Sequence, residues 1–190
     1  MTTKEVPQAG LEIISQFRFC PRCGRDAIER HSEKSVRCPA CGFLFFFNTA
    51  AAVVALITDR EGRLLVTRRA LDPAQGTLDL PGGFVDAHET AEEALSREIR
   101  EELNLEIAGL RYLFSVPNIY DYAGLRYHTV DLAFACEVRD LNMLRPSDEV
   151  AEILFLRPEE LDANAFGLKS TREVIARFIA GRVTGDEKSK

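Results

Sequence analysis

Residues 81–105, PGGFVDAHETAEEALSREIREELNL, set the narrowest limits on how this chain can fold. The segment opens on a proline and two glycines and continues as an amphipathic pattern. It carries seven acidic residues, although the whole chain is already at a net charge of −6. Thr90 and Glu93 have the Thr-x-x-Glu spacing of a capping box, which predicts a helix beginning just after Thr90. Glu92 and Glu93 then lie in its first turn, where the helix dipole favours negative charge, and they need no function. At about 100° per residue, Ala94, Leu95, Ile99 and Leu103 define one apolar arc. Glu98 falls at its edge and Glu102 inside it, with Glu101 one step to the side of Glu98. A solvated charged face would place these carboxylates opposite the leucines. Like charges aimed at a packed face are costly unless neutralised. A divalent cation held by oxygen ligands removes the conflict, and Mg²⁺ suits carboxylates and bridges to substrate phosphates. A structural salt-bridge network is the alternative.

A second constraint comes earlier. Cys20 and Cys23 in CPRCG and Cys38 and Cys41 in CPACG form two matching knuckles. The spacing fits one tetrahedral zinc held by four thiolates, with a redox pair as the lesser reading. Gly24 and Gly42 let each knuckle turn so that backbone amides face the sulfurs. His31 lies between the pairs, but four thiolates already fill a tetrahedral site. Cys136, in the apolar run VDLAFACEV, is expected to be a buried, inert thiol.

The 190 residues leave room for one ordinary core and one small module. The expected division is an N-terminal lead over 1–16, a zinc ribbon over 17–48, a main domain over 49–184 and a flexible tail over 185–190. AAVVALIT and RLLVTRRA read as strands joined by the turn DREG, and so as a hairpin. Further strands are expected at 107–116, 126–138 and around 153–156, with YDYAG turning between the first two. A last helix is expected to start at STRE, capped by Ser170 with Glu173 closing the box, and to end at Gly181. Val174, Ile175, Phe178 and Ile179 form its apolar face. The fold class is therefore α/β, a sandwich of mixed strands and two principal helices behind a small ribbon. No apolar run is long enough to cross a bilayer. The first residues show no signal-peptide pattern, so a cytoplasmic protein without a membrane partner is expected. The negative charge argues against nucleic acid as a partner. Homodimerisation is left open.

Residues 83–105 resemble the Nudix box. Its pattern is Gly, five residues, Glu, seven residues, then Arg-Glu-apolar-x-Glu-Glu-x-Gly-apolar. Here the positions are Gly83, Glu89, Arg97, Glu98, Ile99, Glu101, Glu102, Asn104 and Leu105. Asn104 stands where the family has glycine, in a left-handed turn that asparagine tolerates next best. A weaker likeness extends over residues 49–180, and the ribbon is similar to the zinc module of some members, NADH pyrophosphatases among them. The resemblance implies an α/β/α sandwich with a mixed sheet. It also implies hydrolysis of a nucleoside diphosphate linked to another group, with Mg²⁺ or Mn²⁺ as cofactor and Zn²⁺ as a structural ion. Glu98 and Glu102 become metal ligands, and Glu101 a ligand or a close neighbour. Arg97, pointing away from the cluster on the helical wheel, orients the site through Glu89. Gly82 and Gly83 bring backbone close to the metal. The general base is Glu149 or Glu152, if either is more than a surface residue.

Substrate choice lies outside the box. NADH pyrophosphatases carry a Ser-Gln-Pro-Trp segment, where this chain has SVPNIYDYAG and no tryptophan at all. NADH specificity is therefore not carried over. Tyr120, Tyr122 and Tyr127 are candidates for stacking on a base. Arg68 or Arg69, whichever strand alternation turns inward, is a candidate for phosphate contact, as is Arg126. His88 is read as an exposed loop residue. The leading expectation is a pyrophosphohydrolase of a nucleotide-type small molecule such as ADP-ribose, FAD or a nucleotide sugar. The alternatives are an NADH pyrophosphatase, a nucleotide-sensing regulator whose basic ribbon contacts nucleic acid or protein, and a phosphatase of damaged triphosphates.

Overall fold

The structure, a computed structural model, describes residues 11–181. The lead expected over 1–16 lies outside the described residues as far as residue 10, and the tail expected over 185–190 lies outside them altogether. Among the described residues no helix is long and apolar enough to cross a membrane. Contacts divide the chain into two units. One holds the residues up to Thr49 together with Ile119–His128. The other holds Ala50–Asn118 and the chain from Thr129 onward.

In the first unit, β1 (Leu11–Glu12) pairs in parallel with Leu125 and Arg126. Strands β2 (Glu29–Ser32), β3 (Ser35–Arg37) and β4 (Leu44–Phe46) form a small antiparallel sheet. Its interior is slight: Cys20, Ser35, Val36 and Cys38 are buried, while most of the surrounding side chains are exposed.

The second unit is built on two sheets. β5 (Ala50–Ile57) lies between β10 (Leu125–Val138), which runs parallel to it, and β8 (Gly82–Phe84), which runs antiparallel. β9 (Ile107–Tyr122) pairs with β10. The other sheet has the order β11 (Val150–Leu156), β6 (Leu64–Arg69), β7 (Leu78–Asp79), all antiparallel. β5 explains the layering. Val53, Ala55 and Ile57 pack with Ala94, Leu95, Ile99 and Leu103 of helix α1 (Ala91–Leu103). Val54 and Leu56 pack on the other side with Val174, Ile175 and Phe178 of helix α2 (Lys169–Ile179). A strand buried on both faces reads as a continuous apolar run, as AAAVVALI does. The result is the expected α/β/α arrangement with a mixed sheet.

Three expectations about elements fail. β5 and β6 are not a hairpin. Asp59 does make a tight turn, accepting from the amides of Glu61 and Arg63 at 2.9 Å each. The strands then part into different sheets, bridged only at Thr58 and Leu64. β9 runs six residues past Val116, and only Ala123 and Gly124, with φ of 50° and 78°, turn the chain into β10. Pro117 is tolerated because β9 has β10 as its one partner in the sheet. α2 starts at Lys169 with Leu168 as an uncapped N-cap residue, so Ser170 is no cap. Ser170 is buried in the first turn, and Glu173 pairs with Arg177 at 2.9 Å instead of closing a box. Ile179 is exposed, unlike its three apolar neighbours.

The ends of α1 follow the sequence closely. The Thr90 hydroxyl accepts from the Glu93 amide, and the Glu93 carboxylate accepts from the Thr90 amide. Asn104 closes the helix at φ 55°, ψ 34°, and buried Leu105 donates back to Ile99 O. The Asn104 side chain adds a bond, Nδ2 to Met143 O at 2.9 Å. Glycine would relieve the positive φ but lose that bond. Asn104→Gly should therefore stay within about 1 kcal/mol of the parent. A β-branched residue is strained there and also loses the bond, so Asn104→Val should cost about 1–3 kcal/mol. Thermal unfolding distinguishes them, and equal melting temperatures would contradict this account of the cap.

Candidate active site

The loop before α1 brings backbone against carboxylates. Gly82 sits at φ 143°, where a Cβ would collide with the Val53 carbonyl on β5. A Cβ on Gly83 would land on the Glu98 carboxylate. Gly82 is therefore required by close approach to backbone, whereas a side chain at Gly83 would displace the Glu98 carboxylate. The Gly82 amide donates to Glu102 Oε2 at 3.0 Å.

Arg97 ties the cluster together. Its guanidinium donates to Glu89 at 2.7 and 3.2 Å, to Glu98 at 2.8 Å, to Glu101 at 3.3 Å and to the Phe84 carbonyl at 3.0 Å. Glu89 is the expected partner, but Arg97 does not point away from the cluster. Its long side chain folds across the helix face, and the planar fork spans several acceptors at once. Arg97, and then the Asp86 amide, hold the Glu89 carboxyl below its usual range. Burial pushes Glu98 above it despite Arg97. Glu101 is the most exposed of the three later carboxylates.

Glu102 lies deeper, and among the described residues no cation touches it. Burial, reinforced by the charges of Glu98, Asp79 and Glu149, lifts its carboxyl to about 8 in spite of the Gly82 amide. It lines a cavity of about 50 Å³ with Thr67, Arg69, Asp79, Gly82 and Glu149. A larger cavity of about 690 Å³, lined by Asp59, Arg63, Glu137 and Asp140 among others, contains none of these groups. Asp79 is a site residue that the sequence pattern alone does not single out. It is buried, raised by that burial against the pull of Arg69, and bonded to Arg69 at 2.7 Å. The available signal was an acidic residue between leucines, LDL, directly before the PGG turn.

Alternation along β6 separates the two arginines. Arg69 lines the cavity, whereas Arg68 pairs with Glu152 at 2.8 Å and donates to Gly76 O. The same contact separates the candidate bases: Glu152 is engaged by Arg68, and Glu149 stands at the cavity. His88 is exposed, as expected. Cys136 is buried, which pushes its thiol up to about 12, in keeping with an inert role. Tyr120 and Arg126 belong to the other unit. There Arg126 pairs with Asp121 at 3.0 Å, and the rings of Tyr120 and Tyr122 are 6.2 Å apart.

In the first unit the four cysteine sulfurs converge, all within 4.8 Å of one another. Cys20–Cys41 and Cys23–Cys38 are 3.6 and 3.8 Å apart. A tetrahedron with metal–sulfur bonds of about 2.3 Å has edges of about 3.8 Å, so the cradle fits zinc. The knuckles are built alike: Gly24 and Gly42, at φ 71° and 74°, donate to Cys20 O and Cys38 O. Burial raises the Cys20 thiol, but the amides of Cys23 and Arg22 and the neighbouring thiols outweigh it and bring it down to about 7. His31 is exposed and outside the tetrad.

The profile of the family described as NUDIX domain matches residues 48–178. The chain belongs to the NUDIX family. Its relatives include the NAD-capped RNA hydrolase NudC of Stutzerimonas stutzeri, 26% identical over 90% of this chain and 59% of that protein. The protein of the same name from Deinococcus radiodurans is 28% identical over 93% of this chain and 62% of its own length. The NUDIX chain thus spans about three-fifths of these curated relatives. Among solved structures, a NUDIX hydrolase from Nitrosomonas europaea superposes with a TM-score of 0.70 at 25% identity, covering 89% of this chain and 94% of that one. A MutT NUDIX hydrolase from Burkholderia pseudomallei gives 0.58 at 26% identity, covering 68% and 97%.

Proposed function

We propose that this NUDIX chain is a divalent-metal-dependent pyrophosphohydrolase that cleaves a nucleoside diphosphate linked to another group. The observation that carries the reading is Glu102, a half-buried carboxylate beside a second, Glu98, with a backbone amide as its hydrogen-bond donor. Such a group is costly unless a cation completes it. Glu98 and Glu102 would hold Mg²⁺ or Mn²⁺, with Glu101 at the exposed side. The ion would screen the substrate phosphates and lower the pKa of the attacking water. Arg97 and Glu89 fix the Glu98 carboxylate. Glu149, free of the contact that engages Glu152, is the better placed base to take the proton as the water oxygen bonds to phosphorus and the bridging P–O bond breaks. Arg69, held by Asp79, presents positive charge at the cavity. In this reading residues 17–48 are a zinc-stapled module and residues 49–184 the hydrolase.

The names of the curated relatives bring NAD-linked substrates, including an RNA with an NAD cap, into the candidate class beside ADP-ribose and FAD. The missing tryptophan and SVPN in place of the NADH signature weigh against simple NADH specificity. A negatively charged chain can still act on the end of an RNA, because the reacting group is the cap diphosphate. The test is a screen of dinucleotides, nucleotide sugars, triphosphates and NAD-capped RNA with Mg²⁺ or Mn²⁺, reading released phosphate or decapped RNA. A linked diphosphate should be the best substrate. Preference for triphosphates would overturn the substrate class, and no metal-dependent hydrolysis of any of them would overturn the activity.

A further inference from the structure

The ribbon carries a surface that catalysis does not use. Residues 17–48 hold six basic side chains (Arg18, Arg22, Arg25, Arg30, Lys34, Arg37) and three acidic ones. That is +3, against −9 for the remainder of a chain whose total is −6. Zinc with four thiolates would remove two charges and leave the module positive. Among the described residues only Arg18 of the six is in an ion pair, with Asp26 at 2.8 Å. The same module exposes large apolar side chains: Phe19 is 56% exposed, Phe46 46%, Leu44 43% and Phe45 41%.

Strand register sorts them. Leu44 lies opposite Arg37 and Phe46 opposite Ser35, and directly paired residues share a face of the sheet. Leu44, Phe46 and Arg37, all exposed, therefore stand on one face with buried Ser35, and Glu29 lies next to Arg37 across β2. Phe45 points the other way and stacks on Phe17 and Phe43 at 5.7 and 6.2 Å, so that face is partly closed by its own rings. The other face combines an unstacked phenylalanine with an unpaired arginine in a positive module. Those are the parts of a surface for unpaired bases: a ring for stacking and a guanidinium for phosphate or base.

We propose that this face of the ribbon binds single-stranded RNA, the body of a substrate whose 5′ end is hydrolysed by the other unit. The choice of RNA as the extended ligand rests on the function proposed above; the surface stands on the ribbon alone. A second copy of this chain fits less well, because a two-fold interface sets the same patch against itself and would oppose two positive modules.

The test measures binding of an unmodified, labelled oligouridine to the full-length, zinc-replete chain by fluorescence anisotropy, alongside hydrolysis of the best small dinucleotide. Binding is expected at low salt and should weaken as salt rises. Phe46→Ala should weaken it about tenfold. Arg37→Gln should lower the salt slope by about 0.7. Glu29→Gln should tighten binding, a gain that misfolding cannot produce. All three variants should keep their zinc and parental turnover on the dinucleotide. No binding to the parent at low salt would overturn the proposal, as would unchanged affinity in all three variants. So would a concentration-dependent dimer of the parent that Phe46→Ala abolishes while RNA affinity stays the same. RNA binding with no metal-dependent hydrolysis of any linked diphosphate, NAD-capped RNA included, would instead leave the ribbon surface standing and sink the enzymatic reading.

Discussion

Glu102→Gln is expected to lower turnover by about a hundredfold or more while leaving the metal-free protein at least as stable as the parent. Metal-held charge stabilisation is worth several kcal/mol in the transition state, and each 1.4 kcal/mol is about tenfold in rate. Glu98→Gln should behave alike, although the loss of its bond to Arg97 will offset part of the stability gain. The pH dependence gives an independent reading. The Glu102 carboxyl lies at about 8 in the fold, against about 4.3 in an unfolded chain. Below about pH 4 it is neutral in both states and carries no penalty. As pH rises from there through about 8, the unfolded chain ionises first and the folded state loses stability, on the order of a few kcal/mol in all. The metal-free parent should therefore lose melting temperature between about pH 5 and 8, Glu102→Gln should lose much less, and Mg²⁺ should restore the parent. Glu93→Gln is the matched control. It changes the cap and dipole of the same helix and should cost at most about 1 kcal/mol with little effect on turnover. Near-parental turnover in both Glu98→Gln and Glu102→Gln would refute the metal assignment.

Zinc removal should produce the other large effect. The purified chain should contain close to one zinc, and stripping it should unfold residues 17–48. The module buries little besides Cys20, Ser35, Val36 and Cys38, while a structural zinc of this type supplies about 10–16 kcal/mol of apparent free energy. Hydrogen exchange before and after chelation should show protection lost in the ribbon and kept in β5, β10 and α1, which rest on their own apolar cores. Cys38→Ser should reproduce the loss. A clean absence of zinc with reduced cysteines, or unchanged ribbon protection after chelation, would dismiss the structural role.

What the sequence by itself determined about this protein is whatever depends on near neighbours along the chain. Helix α1 was readable to the residue, because its cap, its apolar arc and its left-handed end are all written within about fifteen positions and each is a local interaction. The two knuckles were readable for the same reason, whereas the place of the PGG turn beside the site came only from the likeness to the Nudix box. The parting of β5 and β6 was not. β5 and the first half of β6 are apolar on both faces, and such strands take whichever partner the assembled sheets offer, here β10 and β8 for one and β11 and β7 for the other. Ser170 has the residue type of a cap, but α2 begins earlier, from Leu168, and packing draws Ser170 into the core two positions past the cap. The inner part of the site depended most on tertiary structure. Arg68 and Arg69 are neighbours in sequence with opposite fates, and Glu149 and Glu152 were equivalent candidates until strand pairing gave Glu152 to Arg68. Asp79 met Arg69 and approached Glu102 only when β7 paired with β6. Charges distant in sequence interact through burial and proximity, and both of those exist only once the sheets have closed.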